Sequence, residues 1–358
     1  MIYFFIVVAV LVLVASLLAE KPAPPVSHYP VDPLRFPKVP VDFKGTPYDK
    51  KSRFIYEPLP FYQSIVPVLA WMPSHILAMM FNGGKKLEVQ RPASNDFLFG
   101  QDCLIWLGHA SYFIRMNGKN ILIDPHFNST GPYKRHTINP VDPSMFTHIN
   151  YILLTHDHAD HCDPLSLQQV IKQNPLSKVL TGKNMSGLVQ SFTDQQPEIL
   201  EALWYEKFPV EDLDITFIPS RHYSKRIFKP FNSTLWGGFV IASKQGTIFL
   251  SADSGYGPHF EQVGKLFNPD VTIIGTGAYQ PAWFMKANHM SPEDAVKASK
   301  DTGASLMIPS HYGTFHLGNE SVEDVESRLM KLRKDNNILD IQVGRIYPLE
   351  ELFPSSNG

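Results

Sequence analysis

Short segments in which apolar and polar residues alternate recur along the chain. Residues 103–107 and 112–116 alternate in this way, and Asn117-Gly118, a preferred two-residue hairpin turn, connects the second segment to residues 120–124. Further strand-like segments cover residues 151–154, 213–218, 238–242, 247–251, 271–274 and 306–308. These periodicities predict a domain with many short strands.

Helical segments are predicted between these strands. One begins near Pro164, and another begins where Ser291 caps the helix and Pro292 occupies its first turn, and ends near Gly303. A last helix covers about residues 320–334. Strands interspersed with helices predict an α/β (α+β) fold in which helices cover two sheets.

The first 19 residues form an apolar segment whose only polar side chains are Tyr3 and Ser16. A helix of this length, at about 1.5 Å per residue, spans roughly the 30 Å hydrocarbon core of a bilayer. No Lys or Arg precedes Lys21, and Leu17 occupies a position where a cleaved signal peptide needs a small residue. We therefore expect residues 1–19 to be an uncleaved anchor rather than a signal peptide, and the protein to be membrane-associated.

Residues 20–95 are rich in proline and aromatic residues and show little periodicity. We interpret them as a tether followed by an arm that wraps around the main domain. Within them, the apolar run 65–81 with Met72, Met79 and Met80 is compatible with a lipid-facing element or with part of the core. Apolar stripes at helical spacing are more often core, so core is the interpretation we adopt.

Composition limits the class of protein. Of the 358 residues, 44% are apolar and 18% are charged, which excludes a disordered chain and is ample for a large core, here expected over residues 96–350. The net charge of −2 without basic blocks argues against nucleic-acid binding, which needs phosphate neutralisation. The chain has two cysteines, Cys103 and Cys162, and the single disulfide that they could form cannot hold a fold of this length together.

Four potential metal ligands lie within six residues, directly after the apolar strand 151–154. One metal ion cannot easily use all four from a single tight loop, but two ions can share them. In that arrangement His156 and His158 turn toward one ion, and Asp160 and His161 turn toward the other. Each half of the site then needs further ligands.

Suitable ligands follow three later strands, where His222, Asp253 and His311 each stand at a strand end. They raise the candidate set to seven residues. Cys162, beside the cluster, is expected to be a buried structural residue. Lone histidines elsewhere are expected to be solvated or hydrogen-bonded, namely His28, His75, His136 and His148.

The order of these residues resembles the metallo-β-lactamase superfamily, whose fold is an αββα sandwich. A narrower resemblance, over roughly residues 95–335, is to the family of N-acyl-phosphatidylethanolamine-hydrolysing phospholipases D. That resemblance is carried by residues 106–111, 122–125, 253–256, 277–285, His289, 292–296 and 313–315. The chain departs from the usual family pattern in its N-terminal hydrophobic segment.

The resemblance implies that two zinc ions bind here and that Asp253 bridges them. The other ligands of the first ion would be His156, His158 and His222. The other ligands of the second ion would be Asp160, His161 and His311. Asp253 would orient the attacking water, and His289 would hydrogen-bond the phosphate or protonate the leaving oxygen. Four apolar residues would either contact the substrate or belong to the core, namely Tyr279, Trp283, Phe284 and Met285.

The implied activity is that of a zinc-dependent phosphoric diester hydrolase of the phospholipase D type. It would hydrolyse N-acyl-phosphatidylethanolamine, a membrane phospholipid, to N-acylethanolamine and phosphatidic acid, and the resemblance also implies a homodimer. Two other classes stay open: a hydrolase of the same fold acting on a lactone or a small phosphodiester, and a non-enzymatic membrane protein with a structural metal site. A vestigial site is expected to have lost a ligand, whereas all seven are present here.

Overall fold

The computed structural model describes residues 25–60, 65–81 and 85–353. The predicted anchor, residues 1–19, lies outside this described part. Among the described residues, no helix combines the length and the apolar character needed to cross a membrane.

The larger sheet contains the predicted hairpin. Its strands are β3 (Cys103–Gly108), β4 (Ser111–Met116), β5 (Lys119–Ile123), β6 (Tyr151–Leu154), β7 (Lys178–Gly182), β8 (Glu198–Ala202) and β14 (Ile346–Pro348). They are ordered β14-β3-β4-β5-β6-β7-β8, and the strands from β5 to β8 are parallel. Asn117 and Gly118 have φ values of 51° and 73°, as the tight turn between β4 and β5 requires.

The smaller sheet follows in the second half of the chain. Its strands are β9 (Asp214–Ile218), β10 (Gly238–Ala242), β11 (Thr247–Leu250), β12 (Val271–Gly275) and β13 (Leu306–Ser310). They are ordered β13-β12-β11-β10-β9. Strands β11, β12 and β13 are parallel, and β10 is antiparallel to both β9 and β11, so β9 and β11 run in the same direction.

Helices surround the two sheets. They are α1 (Ile65–Phe81), α2 (Pro164–Gln173), α3 (Ser186–Gln190), α4 (His259–Phe267), α5 (Ala282–Met285), α6 (Pro292–Thr302), α7 (Val322–Leu332) and α8 (Leu349–Leu352). The predicted start of α6 is confirmed, because the Ser291 hydroxyl accepts a hydrogen bond from the backbone N–H of Asp294. The helix ends at Gly303, whose φ of 75° suits a glycine cap.

The alternation of β3 places its side chains in two cores. Leu104 and Trp106 pack in the cluster that contains the smaller sheet, whereas Ile105 and Leu107 pack in the cluster that contains α2 and α3. On the other side of the smaller sheet, α6 contacts β12, β13 and α7. The layers are therefore helix, sheet, sheet and helix, and the predicted αββα sandwich is confirmed.

The arm before the sandwich has two different parts. A short pair of strands, β1 (Val26–His28) and β2 (Pro47–Asp49), leads to Phe54 and Tyr56, which are buried in the same cluster as the sheets. In α1, however, the core interpretation is wrong for one face of the helix, which is exposed. Trp71 is buried, whereas 69% of Met80 is exposed.

Candidate metal centre

The candidate ligands converge because the strands that precede them end at one edge of the sandwich. The histidine-rich loop follows β6, which is parallel to β5 in the larger sheet. His222, Asp253 and His311 follow β9, β11 and β13, which run in one direction in the smaller sheet. Ligands at the carboxyl ends of such strands meet in the crevice between the elements.

The first group of donors contains His156, His158, His222 and Asp253, whose ligand atoms all lie within 4.8 Å of one another. Nε2 of His222 is 3.2 Å from Nδ1 of His158, and Oδ2 of Asp253 is 3.8 Å from Nε2 of His222. The other ring nitrogens are held by neighbours: Nδ1 of His222 lies 3.2 Å from the carbonyl of Asn288, and Nδ1 of His156 lies 2.9 Å from the Thr155 hydroxyl. The Nε2 atoms of these two histidines are therefore directed at the centre of the group.

The second group contains Asp160, His161 and His311, together with His109. Nε2 of His161 is 3.3 Å from Nε2 of His311 and 3.4 Å from Oδ2 of Asp160. His109 Nε2 lies 2.9 Å from Oδ2 of Asp160, so His109 holds this carboxylate in place.

Asp253 belongs to the first group and also faces two histidines of the second. Its Oδ2 is 3.2 Å from Nε2 of His161 and 4.0 Å from Nε2 of His156, and its Oδ1 is 3.1 Å from Nε2 of His311. A carboxylate in this position can bridge two metal ions.

The donor geometry fits metal ions. Ligand atoms at about 2.0–2.1 Å from a tetrahedral ion lie roughly 3.3 Å apart, close to the 3.1–3.4 Å separations of the second group. Nε2 of His156 is buried and has no hydrogen-bond partner, which is costly unless another partner binds it. Imidazole and carboxylate donors together suit a divalent transition metal.

Electrostatics in the first group favour the metal-binding form of each histidine. Burial lowers the pKa of His156 and His222 well below the usual value and also lowers the pKa of His158. Neutral imidazoles keep a free lone pair. Burial alone would raise the pKa of Asp253, but His161 and His311 hold it well below the usual value, so this carboxylate is ionised.

In the second group the neighbouring carboxylates raise the pKa values of the imidazoles. Burial alone would lower the pKa of His161 and His311, but Asp253 and Asp160 raise the pKa of His161 well above its usual value and that of His311 to about 9. A metal ion binds only deprotonated imidazole, so metal binding here releases protons.

Two residues outside the predicted set hold the ligands, and sequence reasoning did not give them this role. Asp124, at the end of β5, accepts hydrogen bonds from the backbone N–H of Thr155 at 2.8 Å and from Nδ1 of His161 at 2.8 Å. Such a carboxylate fixes the tautomer and orientation of a ligating histidine. Both Asp124 and His109 stand in segments that carry the family resemblance, 122–125 and 106–111, which was the available signal.

His289 lies next to Asp253, and 16% of its side chain is exposed. Its Nδ1 is 3.9 Å from Oδ2 of Asp253, and its ring centre is 5.3 Å from that of His222. Burial lowers the pKa of His289 to about 4, so the ring is neutral at pH 7. A neutral imidazole in this position is a hydrogen-bond donor rather than a strong acid.

The four predicted substrate contacts have different surroundings. Tyr279 is buried in the core, and its hydroxyl donates a hydrogen bond to Asp324. Met285 is also buried, whereas 62% of Trp283 is exposed. The ring of Phe284 lies 5.1 Å from that of Trp71 on α1. Trp283 and Phe284 are thus less buried than Tyr279 and Met285.

The structure gives the remaining single residues ordinary roles. His75 is buried and Nδ1 lies 3.2 Å from Oδ1 of Asn319, and His28 is 3.0 Å from Glu57, as expected for hydrogen-bonded histidines. Cys162 is fully buried and burial raises its pKa to about 12, so the thiol is protonated and structural, as predicted.

Fold and site together define a metallo-β-lactamase-type protein. Residues 119–312, more than half of the 358-residue chain, match the model of the beta-lactamase superfamily domain. The protein belongs to this family.

Several curated proteins are similar to the chain. An uncharacterized protein of Mycobacterium tuberculosis is 28% identical over 244 residues, and the match covers 65% of this chain and 64% of that protein. The N-acyl-phosphatidylethanolamine-hydrolyzing phospholipase D 1 of Caenorhabditis elegans is 26% identical over 264 residues, covering 68% and 74%. A UPF0173 metal-dependent hydrolase of Methanopyrus kandleri is 26% identical over 251 residues, covering 68% and 98%.

Solved structures share the fold at low sequence identity. A possible metal-dependent hydrolase from Veillonella parvula superposes with a TM-score of 0.59 at 14% identity, covering 70% of this chain and 100% of that one. An isothiocyanate hydrolase from Delia radicum gut bacteria gives a TM-score of 0.56 at 18% identity, covering 68% and 97%. These likenesses establish the fold alone.

Proposed function

We propose that the protein is a metal-dependent hydrolase, specifically a dinuclear phosphodiesterase of the phospholipase D type. Its substrate in this proposal is N-acyl-phosphatidylethanolamine, and its products are N-acylethanolamine and phosphatidic acid. The observation that carries the proposal is the pair of ligand groups joined by Asp253, with Trp283 and Phe284 on the short helix that leads to His289. The similarity to the C. elegans phospholipase D supports the choice of substrate.

The two ligand groups would hold one divalent ion each. When bound, such ions polarise a phosphate group, offset its negative charge and lower the pKa of a water molecule between them. Zinc is our proposed metal because mixed imidazole and carboxylate donors suit it.

The residues of the chain supply positioning and proton handling. Asp253 accepts a hydrogen bond from the attacking water and orients it, since its Oδ2 faces His222 of the first group and its Oδ1 faces His311 of the second. Nδ1 or Nε2 of His289 donates a hydrogen bond to a phosphate oxygen, and burial keeps this imidazole neutral by lowering its pKa to about 4. His109 and Asp124 keep Asp160 and His161 fixed.

The bond changes in this reaction balance without another reactant. The water oxygen forms a bond to phosphorus, and the bond between phosphorus and the ethanolamine oxygen breaks. One proton of the water ends on the leaving oxygen, which becomes the hydroxyl of the N-acylethanolamine. The phosphate stays on the diacylglycerol part as phosphatidic acid.

A membrane location and a homodimer belong to the same proposal. A phospholipid with three acyl chains has to leave the bilayer in part to reach a buried site, so an enzyme that acts on it benefits from lying at the membrane. The second candidate is a hydrolase of the same fold that acts on a lactone or a small phosphodiester. The similarity to a UPF0173 metal-dependent hydrolase supports a metal-dependent hydrolase of either kind, since that name states no substrate.

The test of the proposal is product analysis with the full chain, loaded with zinc and given N-acyl-phosphatidylethanolamine in mixed micelles. We expect release of phosphatidic acid and N-acylethanolamine, identified by mass spectrometry. A diacylglycerol product would instead mean cleavage of the other phosphate ester bond. Zinc-loaded protein that leaves the lipid intact but hydrolyses a lactone or a small phosphodiester would favour the second candidate, and hydrolysis of none of these would favour a structural metal site.

His289→Ala is expected to lower turnover by about 10- to 100-fold while both metals stay bound, because one charge-assisted hydrogen bond is worth roughly 1.5–3 kcal/mol. The measurement is the rate of N-acylethanolamine release together with metal content per chain. The matched control is His148→Ala, since this exposed histidine makes an edge-to-face contact with Phe99 and belongs to neither ligand group. Unchanged turnover in the His289 variant would remove the residue from the reaction.

A further inference from the structure

Helix α1 has one face directed at the protein and one that is exposed. Its 17 residues include no Asp, Glu, Lys or Arg. Trp71 and His75, one turn apart, are buried, whereas the exposed fractions of Leu69, Ile76 and Met80 are 61%, 52% and 69%. An uncharged helix that exposes large apolar side chains is unusual on a surface in contact with water.

The inner face of α1 borders the metal centre. The Trp71 ring lies 5.1 Å from Phe284, which is on the short helix that leads to His289. The His75 ring lies 5.9 Å from Tyr133, and Tyr133 is close enough to Asp160 to interact with its charge. Helix α1 therefore forms part of the rim of the site.

A second exposed apolar segment borders the same site. Ile227 and Phe228 are 78% and 101% exposed, at the tip of the loop that follows His222. The base of this loop is bonded to the histidine-rich loop, because the backbone N–H of Lys225 donates to Oδ1 of Asp157 at 2.8 Å. The tip therefore lies within three residues of a backbone position that is bonded to the histidine-rich loop.

Positive charge accompanies both apolar segments. Lys225 and Lys229 flank the Ile227–Phe228 tip, and exposed Lys286 directly follows the helix that carries exposed Trp283. These three lysines form no ion pair with a carboxylate of the described residues. Apolar side chains with lysines around them match an anionic lipid surface, in which apolar groups insert and cations meet headgroup phosphates.

We propose that the outer face of α1, Trp283 and the Ile227–Phe228 tip form one docking surface for an anionic phospholipid bilayer, arranged around the mouth of the metal centre. Trp283 suits the headgroup level, where the amphipathic indole ring is favoured. The inference rests on the proposed function in that a phospholipid substrate gives the surface its purpose. Beyond the proposed function, the inference specifies which side chains enter the bilayer. It does not depend on whether residues 1–19 anchor the chain.

The experiment places an environment-sensitive fluorophore on the full chain by Phe228→Cys or Met80→Cys, one variant at a time. The matched control is Leu176→Cys, because Leu176 is 94% exposed and lies before the amino end of β7, at the edge of the sheet opposite the site. The native cysteines, Cys103 and Cys162, are buried and their raised pKa values of about 12 keep them unreactive. The probes are vesicles of phosphatidylcholine, alone or mixed with phosphatidylglycerol, with and without nitroxide-labelled lipid.

We expect anionic vesicles to shift the emission of the labels at positions 228 and 80 to the blue, and nitroxide lipid to quench both. The label at position 176 should not respond. Lys229→Gln in the background of the position-228 label should raise the anionic lipid concentration needed for a half-maximal shift by about fivefold, since each lysine near such a surface contributes about a factor of five. Lys172→Gln, an exposed lysine on α2, is the charge-matched control.

Three results would overturn the inference. The first is that neither label, or only one of the two, responds to vesicles. The second is that both labels are in an apolar environment before lipid is added and become exposed on dilution, which would assign the face to a second copy of the chain. The third is that both labels stay in an apolar environment at every protein concentration, which would assign the face to another segment of the same chain. Docking does not require turnover. Docking without hydrolysis of N-acyl-phosphatidylethanolamine would therefore contradict the proposed function alone, and hydrolysis in micelles without docking would contradict this inference alone.

Discussion

Asp253→Asn is expected to lower the turnover of N-acyl-phosphatidylethanolamine by at least about a thousandfold, because bound metal ions supply several kcal/mol of charge stabilisation and each 1.36 kcal/mol is a factor of ten. The substitution acts on both ligand groups at once. Oδ2 of Asp253 is 3.8 Å from Nε2 of His222 in the first group, and Oδ1 is 3.1 Å from Nε2 of His311 in the second. Asparagine removes the negative charge and replaces one of these oxygens by an amide nitrogen, which cannot bind a cation.

Metal content separates this explanation from a simple loss of folding. We expect Asp253→Asn to retain fewer than two ions per chain after desalting, measured by native mass spectrometry, while far-ultraviolet circular dichroism shows an unchanged content of helix and strand. The matched control is Asp194→Asn, an exposed aspartate in the loop before β8, which should retain full metal content and rate. Two tightly held ions with near-normal turnover in the Asp253 variant would refute the bridging role.

The ligand set was predictable from the sequence because each ligand directly follows an apolar strand. Four ligands lie in one loop, and His222, Asp253 and His311 each stand after a strand that periodicity alone identifies. What the spacing does not contain is the partner of each ligand. The division of His222 and His311 between the two groups came from the family resemblance, and the structure groups them in the same way.

Some elements escaped prediction because one local signal was missing. Strand β8 is an edge strand of the larger sheet, with Glu198 and Glu201 on it and only Ala202 buried, so it lacks an apolar stripe, and tertiary packing decides its structure. Helix α4 is amphipathic and buries Phe260 and Val263, but it has no side-chain cap at its N-terminus to mark its start.

The apolar run in α1 shows a different limit of sequence reasoning. Apolar residues at helical spacing are compatible with a core helix, which is the commoner case, and with a helix that faces lipid. The deciding quantity is how many elements pack around the helix. Trp71 and His75 find partners in Phe284 and Asn319, whereas Leu69 and Met80 remain exposed. Burial therefore had to be observed.

The long-range supports of the metal centre were similarly hidden. Asp124 and His109 contact ligands 37 and 51 residues away in the sequence, at His161 and Asp160. Sequence spacing places each of them only at the end of its own strand. Their role follows from the pairing of β3, β4, β5 and β6, which brings those ends together.

Trp106→Ala is expected to lower the free energy of unfolding by about 3–5 kcal/mol, the usual cost of emptying the site of a buried tryptophan. Trp106 is fully buried between the two sheets, with its ring 5.2 Å from that of Tyr312 and 6.5 Å from that of Tyr112. Its indole Nε1 also donates a hydrogen bond to the carbonyl of His109 at 2.8 Å. The same carbonyl accepts from the backbone N–H of His311 at 3.1 Å, so Trp106 connects the core to both strand ends at the second ligand group.

Trp106→Phe separates the packing contribution from that of the hydrogen bond. Phenylalanine keeps much of the apolar volume but has no N–H, so we expect a smaller loss of about 1–2 kcal/mol together with weaker binding of one of the two metal ions. The measurements are urea unfolding of the metal-free protein and metal titration of the folded protein. Trp283→Ala, at a tryptophan that is 62% exposed, should change the free energy of unfolding by no more than about 0.5 kcal/mol. Equal unfolding free energies for Trp106→Ala and Trp283→Ala would contradict the packing of Trp106 between the sheets. Normal binding of both ions by Trp106→Phe would mean that His311 and the strand ends hold the His109 turn without the indole.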